Sequence, residues 1–204
     1  DRAGTVRLFM ESLLRTMLIQ ANVIWQKGDF TMPLHIIHGD IITMPVDAVV
    51  NAANTALQRG GGVCGAIFAA AGADKLQAEC DRIGRCGVGE AVVTGGYDLP
   101  ARHIIHTAGP IWRGGNSDEA RLLHNCYTNS LLLAMQNDCR SIAFPLISSG
   151  IYGYPIEQAL QIAVAAISEF LLKYDIQVYL LLYDQQTFEL SKKLFPAGEA
   201  NSAD

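Results

Sequence analysis

The sequence predicts an α/β protein, a three-layer α/β/α sandwich built on a central mixed, largely parallel sheet. Three observations predict it. From Pro33 onward, short apolar runs alternate with helix-length runs, which is the order of β-α-β units. The short runs are nearly continuous in apolar residues, as in Val46-Asp47-Ala48-Val49-Val50, and strands covered on both faces read that way. Two glycine-rich loops each fall between such a run and a helix start. In open α/β sheets that is where ligands bind.

Residues 1–31 stand apart. Val6, Phe9, Met10, Leu13, Leu14, Met17 and Leu18 recur at helical spacing. The segment reads as an extra helix packed on the domain, as an oligomer contact, or as a leader foreign to it. Met32 would serve as a natural start for the remainder of the chain. The domain is expected over 32–195, with 196–204 a disordered tail. Leu34 to His38 and Asp47 to Asn51 read as strands. One helix is expected from Val63 to about Ile83. Ala91 to Thr94 and His103 to Thr107 read as strands, separated by the turn at Asp98-Leu99-Pro100. His103 and His106 are expected to share a face, as satisfied core or rim histidines. Ser117 or Asp118 can cap a long helix running to Gln136. Ser141 to Pro145 is a short buried strand. Pro155 suits the first turn of a helix to Lys173. Gln177 to Tyr183 is a strongly apolar strand, and Gln185 to Leu194 a last helix.

Composition narrows the function. A chain of 204 residues can bury one full core. Its formal net charge is −5, so a broad basic footprint for nucleic acid is not expected. An anionic ligand would have to be held by local backbone dipoles. The five cysteines are odd in number and form no CxxC pair. That argues against a disulfide framework or a zinc knuckle and for reduced, cytoplasmic thiols. No apolar run is long enough to span a bilayer. No metal and no cofactor is expected.

The most informative stretch is NAANTALQRGGGVCGAIF, from Asn51 to Phe68. A buried strand, a turn with two carboxamides, three glycines and a helix start stand in that order. Gly60, Gly61 and Gly62 let backbone N–H groups approach an anion, since no Cβ intervenes. The helix start at Val63 adds unpaired donors and a positive dipole end. Carboxamides both donate and accept, so Asn51 and Asn54 suit ribose hydroxyls. The competing reading for both is an Asx-turn that closes the strand. Three loops at strand ends are expected to converge: Gly39-Asp40-Ile41, the Asn54–Gly62 loop, and Ser148-Ser149-Gly150-Ile151-Tyr152-Gly153.

GDI at 39–41, VVNAAN at 49–54, GGGV at 60–63, HTAGPIW at 106–112 and PLISSGIYG at 145–153 resemble the macrodomains. The resemblance spans Pro33 to about Leu194 and is nearest the MacroD-type and bacterial deacetylases of O-acetyl-ADP-ribose. It implies binding of ADP-ribose or O-acetyl-ADP-ribose, and hydrolysis of ADP-ribosyl esters, mono-ADP-ribosylated acidic side chains of proteins included. It implies that Asp40, with Ile41 beside it, receives the adenine amino group, and that Asn54 meets the distal ribose near the scissile bond. Asn51 would bind or brace the loop. Gly60, Gly61, Gly62 and Val63 would close over the distal ribose and phosphate. Ser148, Ser149, Gly150 and Ile151 would wrap the diphosphate, Tyr152 would fix the distal ribose, and Tyr183 would stack on adenine or its ribose. Cys64 and Phe68 depart from the pattern, standing where MacroD-type hydrolases carry Asp and His. Alphavirus macrodomains are similar at these positions, with Cys and an aromatic residue. Two readings result. One is an ester hydrolase resting on Asn54 and Tyr152, with Cys64 a lining residue or nucleophile. The other is a reader that binds ADP-ribose without turnover.

Overall fold

A computed structural model describes residues 33–196. The expected segment 1–31 and the tail therefore lie outside the described residues. Six strands form one sheet: β1 (Leu34–His38), β2 (Ala48–Ala53), β3 (Ala91–Gly95), β4 (His103–Ala108), β5 (Ser141–Pro145) and β6 (Gln177–Leu182). Their spatial order is β1-β6-β5-β2-β4-β3. All neighbours pair in parallel except β3 with β4. The sheet is thus mixed and largely parallel, as the alternation predicts. Five helices accompany it: α1 (Gly62–Ala71), α2 (Ala73–Ile83), α3 (Glu119–Gln136), α4 (Ile156–Leu171) and α5 (Gln185–Leu194).

The strand sequences explain the layering. Successive residues of a strand point to opposite faces. Val49 and Val50 are both fully buried, as are Ile104 and Ile105. The central strands β2 and β4 must therefore be covered on both sides, which is what helices above and below provide.

Three local expectations need correction. The helix expected from Val63 to Ile83 is two helices, broken at Gly72. That glycine is left-handed (φ 89°, ψ 87°) and ends α1 while opening α2, a conformation that costs glycine least. Neither Ser117 nor Asp118 caps α3 through its side chain. Asp118 is itself left-handed (φ 65°) and pairs with Arg121. The Glu119 carboxylate turns away from the helix instead, accepting from Arg113 N, Gly115 N and Ser117 N of the preceding turn, and no side chain among the described residues caps α3. Finally, His103 and His106 do not share a face. They are three residues apart on a strand of period two, so His106 is fully buried while His103 is half-buried.

The amino ends of the parallel strands are closed by one carboxylate. Asp47, just before β2, accepts from Arg140 N (2.8 Å), Ser141 N (3.2 Å), Ser141 Oγ (3.2 Å) and Arg102 Nε (3.1 Å). Burial raises its pKa, but these donors and the Arg102 charge outweigh burial and hold it below the usual carboxylate range.

Candidate functional site

The opposite, carboxyl ends of the strands are open. A cleft of about 330 Å³ lies there, lined by β2 and its loop (Ala52, Ala53, Asn54), the glycine loop and α1 start (Gly60 to Cys64), Gly109 after β4, and the loop after β5 (Leu146 to Ser148, Gly150 to Tyr152). Two of the three loops expected to converge therefore do. They approach closely, since a methyl group at Gly61 would lie 3.7 Å from Ile151 Cδ1. Ile151 itself is 87% exposed and forms the rim.

The first loop stands apart from this cleft. Asp40 Oδ1 accepts from Ile42 N (3.2 Å) and caps a short 3-10 turn over Ile41–Thr43. The Ile41 side chain is buried in the core. Tyr183 comes directly after β6 and is 78% exposed. Asp40 and Tyr183 lie past the ends of β1 and β6, which are adjacent in the sheet. They sit beyond β5, in line with the cleft over β5, β2 and β4.

The glycine loop is shaped for an anion. Gly61 precedes α1 and offers no side chain to its first-turn N–H groups, so those donors stay available. Gly62 has φ 58°. A methyl at Gly65 would meet Gly60 O at 2.6 Å, so the loop folds directly onto the helix. Across the cleft, Ser148 holds a left-handed backbone (φ 64°) although it is not glycine. Its buried Oγ has no partner among the described residues. Strain and an unspent hydroxyl together fit a loop built for a ligand. Ser149 differs, because its Oγ donates to Leu146 O (2.8 Å). The helix dipole and backbone donors carry any anion binding here, since among the described residues no lysine or arginine lines the cleft.

Asn54 lines the cleft and also closes its own loop. Its Oδ1 accepts from Gln58 N (3.1 Å) and its Nδ2 donates to Gln58 O (2.6 Å). The Asx-type reading and the site reading thus hold together, because one N–H and one lone pair remain free. A methyl at Gly60 would meet Cys64 Sγ at 3.7 Å and Asn54 Nδ2 at 3.8 Å, so these residues form one cluster.

Asn51 lies beneath the cleft rather than on its wall. It is fully buried and donates from Nδ2 to His106 Nδ1 (3.1 Å) and Cys64 Sγ (3.6 Å). Of the two roles expected for Asn51, its geometry fits bracing. Thr94 Oγ1 donates to Gly95 O (3.2 Å) and lies 2.9 Å from His106 Nε2. The network therefore sets His106 as the Nε2–H tautomer, with Nδ1 accepting. Burial pushes its pKa down to about 4, against a small opposing effect from Glu79, so the ring is neutral at pH 7. Phe68 is buried too, with its ring edge on His106 (centroids 6.3 Å apart). The aromatic residue at the departing position is thus core, not wall.

Sequence reasoning missed Trp112 and Glu119. Trp112 N donates to Tyr152 O (2.9 Å) and its ring packs on Tyr154 (4.6 Å). Glu119 is 2% exposed and accepts from three backbone N–H groups. The signal for Trp112 was in the HTAGPIW run. A carboxylate reaching back along the chain left none. Among the described residues no group of three or more His, Cys, Asp or Glu side chains could hold a metal, and no helix is long and apolar enough to cross a membrane. All five cysteines are buried and unpaired.

Comparison with known proteins bears on this arrangement. A family model described as Macro domain matches residues 50–163. A Citrobacter rodentium protein named O-acetyl-ADP-ribose deacetylase is 52% identical over 167 residues, covering 79% of this chain and 94% of that one. A Salmonella typhimurium protein of the same name is 50% identical, covering 80% of this chain and 94% of its own. The Oceanobacillus iheyensis macrodomain with ADP superposes at TM-score 0.74, with 39% identity over 78% of this chain and 88% of that chain. The Trypanosoma brucei macrodomain in complex with ADP-ribose gives TM-score 0.71, 36% identity, and 79% and 68% coverage.

Proposed function

The chain belongs to the Macro domain family, and from that premise we propose that it binds ADP-ribose in the cleft and hydrolyses ADP-ribosyl esters. O-acetyl-ADP-ribose is the first substrate, and mono-ADP-ribosylated acidic side chains of proteins present the same ester bond. The observation that carries this reading is the pairing of Asn54 with an unobstructed glycine loop at the start of α1, opposite Ser148 to Tyr152. Relatives at about half identity named as deacetylases support it.

The roles come from the chemistry of the bond. Water attacks the ester carbonyl, the bond to the ribose oxygen breaks, and that oxygen takes a proton, releasing a carboxylic acid and ADP-ribose. Among the described residues no carboxylate or imidazole lines the cleft. The wall therefore works by positioning and by dipoles. The free N–H of Asn54 orients the distal ribose, and backbone N–H groups of the glycine loop and of 148–152 hold the diphosphate. Tyr152 fixes the sugar, and a substrate phosphate oxygen can orient the water. Asp40, the backbone of Ile41 and Tyr183 extend the site toward adenine. Cys64 serves as a small wall residue. Five reduced cysteines suit a reducing, cytoplasmic setting, and no nucleic-acid partner is proposed.

The second reading, a reader without turnover, is favoured by one observation: Cys64 and buried Phe68 supply neither the carboxylate nor the imidazole of MacroD-type hydrolases. Release of acetate from O-acetyl-ADP-ribose, tracked by mass spectrometry, separates the two. Turnover by the parent chain supports the hydrolase. A silent parent that gains turnover on Cys64→Asp would establish the reader.

A further inference from the structure

Glu119 presents an anomaly that the ligand-facing residues do not explain. It is a buried carboxylate at 2% exposure, yet among the described residues no cation lies within ion-pair distance. The nearby Arg121 is engaged by Asp118 instead. A buried charge without a cation must be satisfied by hydrogen bonds. Glu119 has three: Oε1 accepts from Arg113 N (3.0 Å) and Gly115 N (3.2 Å), and Oε2 from Ser117 N (2.6 Å). Burial raises its pKa, and these N–H donors outweigh burial to bring it below the usual range. The backbone from 113 to 117 is wrapped around an anion that belongs to the chain itself. Gly114 and Gly115 make the wrap possible, with φ of 101° and 83°.

This turn leads directly to the cleft. Trp112 precedes it, and a methyl at Gly115 would meet the Trp112 ring at 3.0 Å. The ring lies on Tyr154 at 4.6 Å, and Trp112 N donates to Tyr152 O at 2.9 Å. Tyr154 N in turn donates to Ser148 O (3.0 Å). A continuous path of ordinary hydrogen bonds and ring contacts therefore runs from the Glu119 carboxylate to both ends of the Ser148–Tyr152 loop.

We propose that Glu119 is a positioning residue for ligand binding: its carboxylate shapes the 113–117 turn, which seats Trp112 against the loop that carries Tyr152. The proposal rests on the reading that this loop holds the diphosphate and distal ribose. Glutamate is required rather than glutamine because all three partners are N–H donors. An amide at this place would turn its own NH2 toward at least one of them, replacing an attraction with a repulsion. The turn then loosens, Trp112 shifts, and Tyr152 loses its register over the distal ribose.

Calorimetry with two ligands tests this on the full chain. ADP-ribose uses the whole loop, whereas AMP lacks the second phosphate and the distal ribose. Glu119→Gln is expected to weaken ADP-ribose roughly tenfold, as loss of a bond to a charged group does. AMP affinity should stay within about twofold, below the tenfold scale of a lost bond. Trp112→Ala leaves the carboxylate, its three N–H donors and the backbone bond to Tyr152 O in place, and removes the ring that packs on Tyr154 and beside Gly115. It should show the same split, and it keeps the proposal testable if Glu119→Gln folds poorly. Both ligands weakened in parallel, or neither weakened, would overturn the positioning role alone. A parent chain that binds no ADP-ribose would instead overturn the functional reading, and this proposal with it.

Discussion

The two ends of the same parallel strands are built in opposite ways. At the amino ends, Asp47 gathers Arg102, Arg140 and Ser141, and its carboxylate is fully engaged by the chain's own donors. At the carboxyl ends, the first-turn N–H groups of α1 have no side-chain cap and Ser148 Oγ no partner among the described residues. One end uses its polar groups to hold strands together. The other keeps them for a visitor, and the loop carrying them accepts a left-handed serine to do so. The contrast teaches that stability and binding are assigned to separate ends of one sheet. Changes at one end should then leave the other alone.

The largest effect is expected at Asn54. Asn54→Ala removes the donor proposed to hold the distal ribose, and turnover of O-acetyl-ADP-ribose should fall roughly 100- to 1,000-fold, the scale for one lost donor to a reacting centre. The melting temperature should move little, because only the Gln58 ring is lost. A parallel collapse of stability would blur the division between the ends.

Beneath the cleft floor, His106 makes stability depend on pH. Its folded pKa, about 4, lies below the unfolded value of 6.5. The unfolded chain therefore binds the extra proton first as pH falls. The contribution is fully present above pH 6.5, declines as pH drops, and is gone below about 4. Denaturant titrations should lose roughly 3 kcal/mol across that window through this residue. A Thr94→Val variant leaves Nε2–H unpaired and should lower stability at neutral pH.

At the closed end, Asp47→Ala strands the N–H groups of Arg140 and Ser141. It should cost about 2 kcal/mol, as bonds to a charged acceptor do, with ADP-ribose affinity unchanged. The smallest of these effects is expected at Gly109. A methyl there would collide with Ser148 Oγ and approach Ile147 Cγ2 to 2.7 Å. Gly109→Ala should push the 148–152 loop outward and weaken ADP-ribose roughly tenfold, with about 1 kcal/mol of chain stability lost to overpacking.

Much of this division was legible in the sequence. Continuous apolar runs marked the doubly covered strands, and Val49-Val50 and Ile104-Ile105 behave as such runs must. The glycine triplet before Val63 marked the anion-ready helix start. What stayed hidden was set by contacts distant in sequence or by backbone sign. Gly72 looked like one more small residue in an Ala-rich helix until its left-handed φ broke the helix. His103 and His106 bracket Ile104-Ile105 and suggest one face, but a spacing of three on a strand places them on two. The motif resemblance gives Asn51 and Asn54 different jobs but does not decide whether Asn51 binds or braces, since only the fold brings His106 against Asn51 and Gln58 against Asn54. Glu119 looked like an ordinary first-turn acid because its partners are backbone groups, which the sequence does not display.

Amide hydrogen exchange with and without ADP-ribose tests the division between the two ends most directly. The ligand should slow exchange at Gly61 to Cys64 and at Ser148 to Tyr152, where donors are unspent. It should leave Arg140 and Ser141 unchanged, because Asp47 already holds their N–H groups. Protection confined to the first two segments is the predicted result. No protection there, or equal protection at the Asp47 end, would contradict the account.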